Sequence, residues 1–164
     1  EGTNGIQAMD LLMRKVAGSK GAMLSVFTDE VQSYIELHKT NKAMAEFITL
    51  LSQALTDLTE LTTSLLEKSV NKPDELGAAA NDYLHVFGYT AMAYVWAKMV
   101  HVSLSKLQGG ELEESATEND EDFYKSKLHT ARYYFSRLLP RRLSLIESIK
   151  SGSDCLFDLD EDLF

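Results

Sequence analysis

The chain has 164 residues, 45% of them apolar, with 16 Lys and Arg against 25 Asp and Glu, two prolines and one cysteine. At about 150 residues per domain this is one domain, able to bury roughly two-thirds of its unfolded surface without disulfides or a structural metal. A formal charge of −9 excludes a general nucleic-acid binder, which needs a basic face. The single cysteine, Cys155, indicates a reducing, cytoplasmic compartment, and no apolar run reaches the about 20 residues of a membrane span. The chain opens Glu1-Gly2-Thr3-Asn4 rather than with methionine, and no signal-peptide pattern follows, so further protein is expected upstream.

Apolar residues recur at three and four, not at two, which predicts an all-α, up-and-down bundle of about five helices. Thr3 or Asn4 is placed to cap a first helix with Ile6, Met9, Leu12, Met13 and Val16 on its apolar face and Gly18 as its stop. A second helix, from about Gly21 to Lys39, carries Met23, Phe27, Val31, Tyr34, Ile35 and His38 on one stripe. Thr40-Asn41 breaks it and caps a third, from about Lys42 to Val70, whose face reads Met44, Phe47, Ile48, Leu51, Leu55, Leu58, Thr62 and Leu65.

Asn71-Lys72-Pro73-Asp74 is a turn into a fourth helix ending near Leu107. Its middle is apolar nearly all round, as expected at the centre of a bundle. Residues Gly110 to Asp122 hold seven acids and read as a solvated loop. A fifth helix from about Asn119 to Lys150 should kink at Pro140 and stop at Gly152, leaving an acidic tail from Ser153 to Phe164. Apart from the seven acids of the loop and the five between Asp154 and Asp162, the chain's other thirteen acids are outnumbered by its sixteen Lys and Arg. The acidity therefore belongs to a loop and a tail, and says little about a substrate.

Few features carry chemistry. Asp82-Tyr83-Leu84-His85 is the only near match to a bundle metal motif and lacks a second pair, so the histidines read as core or surface residues and no metal is expected. Phosphate loops, dinucleotide fingerprints and nucleophile elbows are absent from the sequence. Arg137, Arg141 and Arg142 form the one basic cluster, read either as a phosphate or coenzyme A contact or as a solvated patch paired with the acidic tail or with an absent partner domain. The aromatic set Tyr83, Phe87, Tyr94, Trp96, Phe123, Tyr133, Tyr134 and Phe135 reads either as the lining of a ligand pocket or, as helical spacing favours, as core.

The opening segment is different in kind. Glu1-Gly2-Thr3-Asn4-Gly5-Ile6-Gln7 sets a carboxylate beside a helix N-terminus, with a glycine for close approach and polar residues after it. It resembles the catalytic segment Tyr-Glu-Gly-Thr-(Asn/Thr/Ser)-x-Ile-Gln of the flavin-dependent acyl-CoA dehydrogenases. The continuation Asp10-Leu11-Leu12-Met13-Arg14-Lys15-Val16 is similar to the larger members, with Met13 where glycine is usual, and residues 124–139 and the ending 152–164 resemble the subclass of 3-methylmercaptopropionyl-CoA dehydrogenase in style.

The resemblance implies a role in fatty acid metabolism, with Glu1 as the base that deprotonates an acyl-CoA, Thr3, Asn4 and Gln7 as FAD contacts, and no metal. It also implies residues 1–18 as the end of the catalytic region and 19–164 as a C-terminal helical extension. The partners it implies are the acyl-CoA substrate, the absent N-terminal domains and a second copy in a homodimer or other homo-oligomer. Because most of the flavin site lies in those domains, the isolated chain is expected neither to hold FAD nor to turn over. The reading from a different class is an independent helical protein-interaction module.

Overall fold

The computed structural model describes residues 3–108 and 118–157, and every regular element among them is helical. Helix α1 (Thr3–Met9) runs directly into a π-helical stretch, Asp10–Ala17. Then follow α2 (Ala22–His38), α3 (Ala45–Ser69), α4 (Asp74–Leu107) and α5 (Glu118–Tyr133), the last continuing as π-helical Tyr134–Leu138. Helices α6 (Arg141–Lys150) and α7 (Asp154–Phe157) complete the described chain. This is the expected all-α bundle. The predicted loop falls largely outside the described residues, as does the tail beyond 157; Asp120, Glu121 and Asp122, assigned to that loop, are helical.

The punctuation follows local chemistry. Gly18 does not reverse the chain: its φ is −60° and its N–H bonds Met13 O at 2.9 Å. A Cβ there would lie 2.4 Å from Arg14 O, so close approach is what calls for glycine. The reversal comes at Lys20 and Gly21, with φ of 52° and 84°, where the Gly21 N–H returns to Val16 O at 2.8 Å. Asn41 Oδ1 accepts the Ala43 N–H at 3.0 Å in the turn before α3, which begins at Ala45 and not at the expected Lys42. Pro140, lacking an N–H, divides the expected fifth helix; the Leu139 N–H reaches back five residues to Tyr134 O at 2.9 Å. Gly152, with φ of 83°, ends α6.

The chain forms two compact units. The first contains residues 3–29, 56–88 and 142–157. Its core joins Ala8, Leu12 and Val16 to Leu58, Leu61 and Leu65 of α3, Ala79, Tyr83 and Val86 of α4, and Ile146 and Ile149 of α6. The buried line on the opening helix therefore recurs every fourth residue. Ile6, Met9 and Met13, expected inside, are 67%, 40% and 39% exposed. The small Ala8 sets the facing, and the π-helical stretch carries that line to Val16 where a 3.6-residue period drifts off it. In the part of α2 that belongs to this unit Leu24 is buried, whereas Met23 lies outside.

Three polar devices are enclosed in this unit. Arg142, 5% exposed, meets Asp57 through Nη2 at 2.7 Å and Nε at 2.9 Å from Oδ2. The Tyr83 hydroxyl lies 2.7 Å from Thr62 Oγ1, which itself donates to Leu58 O, and burial pushes Tyr83 up to about 12. Buried Glu75 accepts the backbone N–H and the hydroxyl of Ser153 at 3.1 and 2.9 Å. Those bonds hold its carboxyl below the usual carboxylate range despite desolvation.

The second unit contains residues 30–55, 89–108 and 118–141. Met44, Phe47, Ile48, Leu51 and Leu55 are all buried here, as are Leu58, Thr62 and Leu65 of the first unit, so the whole predicted face of α3 is inside. Aromatic rings dominate the second interior: Phe47 meets Phe135 edge-on with centroids 5.3 Å apart, Trp96 stacks on Tyr134, and the Tyr134 hydroxyl donates to Tyr89 O at 2.7 Å. Helix α4 is less enclosed than its composition suggests, because Met92, Val95 and Val102 are each about half exposed.

Candidate active-site strip

Glu1 lies outside the described residues. Thr3, Asn4 and Gln7 all stand exposed on α1. Thr3 and Gln7 share a face at i and i+4, with Asn4 three residues before Gln7. Thr3 and Asn4 are themselves helical, so neither is the flanking cap that the sequence suggested. One turn further, Asp10 accepts a hydrogen bond from Arg14 Nε and lies 3.4 Å from Lys15 Nζ. The Arg14 bond holds the Asp10 carboxyl below the usual range, and desolvation only partly opposes it. The strip thus presents one hydroxyl and two amides, with the nearby carboxylate neutralised by two cations.

The other candidates separate. Arg142 is buried against Asp57 and is part of the framework, which corrects its assignment to a surface patch; Arg137 and Arg141 are exposed. The aromatic set is also only partly core. Tyr83, Tyr134 and Phe135 are enclosed, but Phe123 and Tyr133 are 53% and 56% exposed. Among the described residues no three His, Cys, Asp or Glu side chains are grouped to hold a metal ion.

One cluster in the second unit was not legible beforehand. Tyr94 donates to Glu30 Oε1 at 2.8 Å, and Tyr34 donates to Ala97 O at 3.1 Å. The Tyr34 ring contacts His38, and His38 contacts His101, each with centroids 4.4 Å apart. Burial pushes Tyr34 up to about 12, while burial and the neighbouring His101 hold His38 below its usual value. The spacing of seven between Tyr94 and His101 puts both on one face of α4, but their pairing with α2 is a tertiary fact. The ring stack is a packing device, with no nucleophile and base in catalytic arrangement.

The acetyl-CoA dehydrogenase C-terminal-like family model matches residues 27–160. The broad-specificity linear acyl-CoA dehydrogenase FadE5 of Mycobacterium tuberculosis is 25% identical over 170 residues, covering all of this chain and 27% of that protein. A butyryl-CoA dehydrogenase of Syntrophomonas wolfei is 24% identical over 164 residues, covering all of this chain and 26% of that protein. A second butyryl-CoA dehydrogenase of the same organism is 26% identical over 173 residues, covering 99% of this chain and 26% of its own length. The chain spans about a quarter of the length of these curated relatives. No described helix is long and apolar enough to cross a membrane. With its helical architecture and a family match over most of its length, the chain belongs to the acetyl-CoA dehydrogenase C-terminal-like family.

Proposed function

We propose that this chain is the C-terminal part of a FAD-dependent acyl-CoA dehydrogenase, which oxidises an acyl-CoA thioester to the 2,3-enoyl-CoA. The observation that carries the reading is the family match over residues 27–160, joined to a catalytic-type strip at the start of the same chain. Within it, residues 1–18 are read as the end of the catalytic region and 19–164 as the helical extension, of the subclass resembling 3-methylmercaptopropionyl-CoA dehydrogenase. The exposed Ile6, Met9 and Met13 suit a helix that packs against further protein of the complete enzyme. The cytoplasm and a homo-oligomeric assembly belong to the same reading.

In this mechanism the Glu1 carboxylate takes the proton from the carbon beside the thioester carbonyl, and the Glu1 backbone N–H donates to the carbonyl oxygen as enolate charge develops. FAD, when bound, supplies the acceptor for the hydride that leaves the next carbon. Thr3, Asn4 and Gln7 fit the holding of that group. They are neutral, exposed donors and acceptors on the first turns of a helix whose N-terminal dipole favours phosphate, and Asp10 beside them is neutralised by Arg14 and Lys15. The test is to express the full-length protein and assay linear acyl-CoA thioesters of graded length for conversion to the 2,3-enoyl-CoA. Oxidation of at least one chain length, with flavin retained through gel filtration, is expected. A full-length protein that holds flavin and oxidises none of them would contradict the reading.

A further inference from the structure

The opening helix leaves the α register just beyond the strip. Through Asp10–Ala17 the turn is π-helical, and its last bond skips the carbonyl four residues back: the Gly18 N–H goes to Met13 O at 2.9 Å, where an α-helix would use Arg14 O. The Gly21 N–H repeats the step of five, to Val16 O at 2.8 Å. The side chains record the same widening, because Asp10 bonds Arg14 Nε four residues on and lies 3.4 Å from Lys15 Nζ five residues on.

The register decides where the strip points. At 3.6 residues per turn a step of four overshoots one turn by about 40°, so an α-helical stretch with Val16 held in the core would turn Leu12 by about 40° and Ala8 by about 80° about the helix axis. In the structure all three are enclosed on one line. A helix about 10–12 Å across carries its side-chain tips through about 4 Å for each 40° of turn. Thr3, Asn4 and Gln7 ride on the same turns as Ala8, and productive contacts tolerate only about 0.5 Å.

Gly18 is where that register is held. A Cβ on it would lie 2.4 Å from Arg14 O and 3.4 Å from Met13 O, backbone atoms that cannot swing aside as a side chain does. Alanine there would displace the Arg14 carbonyl and, with it, the five-residue step. We propose that Gly18, through the π-helical register it permits, is a positioning residue for Thr3, Asn4 and Gln7, setting the face they present to flavin. The inference rests on the dehydrogenase reading and extends that site to a residue eleven positions beyond Gln7.

Two measurements test it. In the 164-residue chain, the scalar coupling across the hydrogen bond of the Gly18 amide nitrogen should lead to the Met13 carbonyl carbon, and a coupling to Arg14 would overturn the proposal whatever the enzyme does. In the full-length enzyme, Gly18→Ala is compared with Gly21→Ala, which strains a φ of 84° but meets nothing within 4 Å of its Cβ. Both should weaken the fold. Gly18→Ala alone should lower kcat per bound flavin by about tenfold or more with KM within about twofold, or shed flavin that Gly21→Ala retains. Equal effects of the two variants, no effect of Gly18→Ala, or a 164-residue Gly18→Ala chain that loses its helicity by circular dichroism would overturn the proposal. A wild-type enzyme that oxidises no acyl-CoA would instead fail the dehydrogenase reading and take this inference with it.

Discussion

The two units are all-helical, yet they enclose different chemistry. The first shuts charge inside: Arg142 on Asp57 and Glu75 on Ser153, with Tyr83 hydrogen-bonded to Thr62. The second is filled with rings, from Phe47 on Phe135 to the stack of Tyr34, His38 and His101, and leaves an apolar line of α4 in the open. A buried ion pair tolerates little displacement, because separating its partners leaves an uncompensated charge in low dielectric. Rings slide at small cost. The unit that carries the catalytic-type strip is thus the one that encloses charged side chains.

Removing a charge from the first unit should break this contrast most severely. Asp57→Ala leaves the buried Arg142 guanidinium without this carboxylate and should lower the unfolding free energy by about 3 kcal/mol in denaturant titration, more than Arg142→Met, which removes the buried charge and keeps the volume. Glu75→Ala comes next, at about 1–3 kcal/mol, since the Ser153 N–H and hydroxyl lose their shared acceptor. Tyr83→Phe should be the mildest, at about 1 kcal/mol, because Thr62 keeps its bond to Leu58 O. If all three cost the same, the enclosed charges are not what distinguishes this unit.

Acid sharpens the comparison through two groups with opposite origins. His38 is held below its ordinary value, so the unfolded chain binds the extra proton, and its contribution is full above about pH 6.5 and is lost as pH falls. Glu75 is also lowered, which makes its contribution present above about pH 4.3 and lost on further acidification. Thermal melts across pH 2 to 8 should therefore show loss of stability beginning near His titration. His38→Phe should remove the earlier loss and leave the later one.

Much of this was legible in one chain. The face of α3 reads off its Leu and Phe spacing because a regular α-helix repeats its period faithfully. On the opening helix the same rule misplaced Ile6 and Met9, since one methyl, Ala8, decides the facing and the π-helical stretch changes the period. Arg142 looked like a member of a surface cluster because only the fold brings Asp57 to it, from 85 residues away. The candidate strip was legible as a motif, Glu1 to Gln7, whereas the turning of Thr3 and Gln7 away from the buried line required the helix that Ala8 orients.

The central claim rests on the carboxylate at position one. In the full-length enzyme, Glu1→Gln keeps the size and hydrogen-bonding reach of the side chain and removes its basicity. Exchange of the α-proton of a bound acyl-CoA into deuterated water reports that single step. Loss of exchange and of turnover by about 10²–10⁴-fold, with flavin content unchanged, is the predicted result. Exchange at the wild-type rate in that variant would contradict the account.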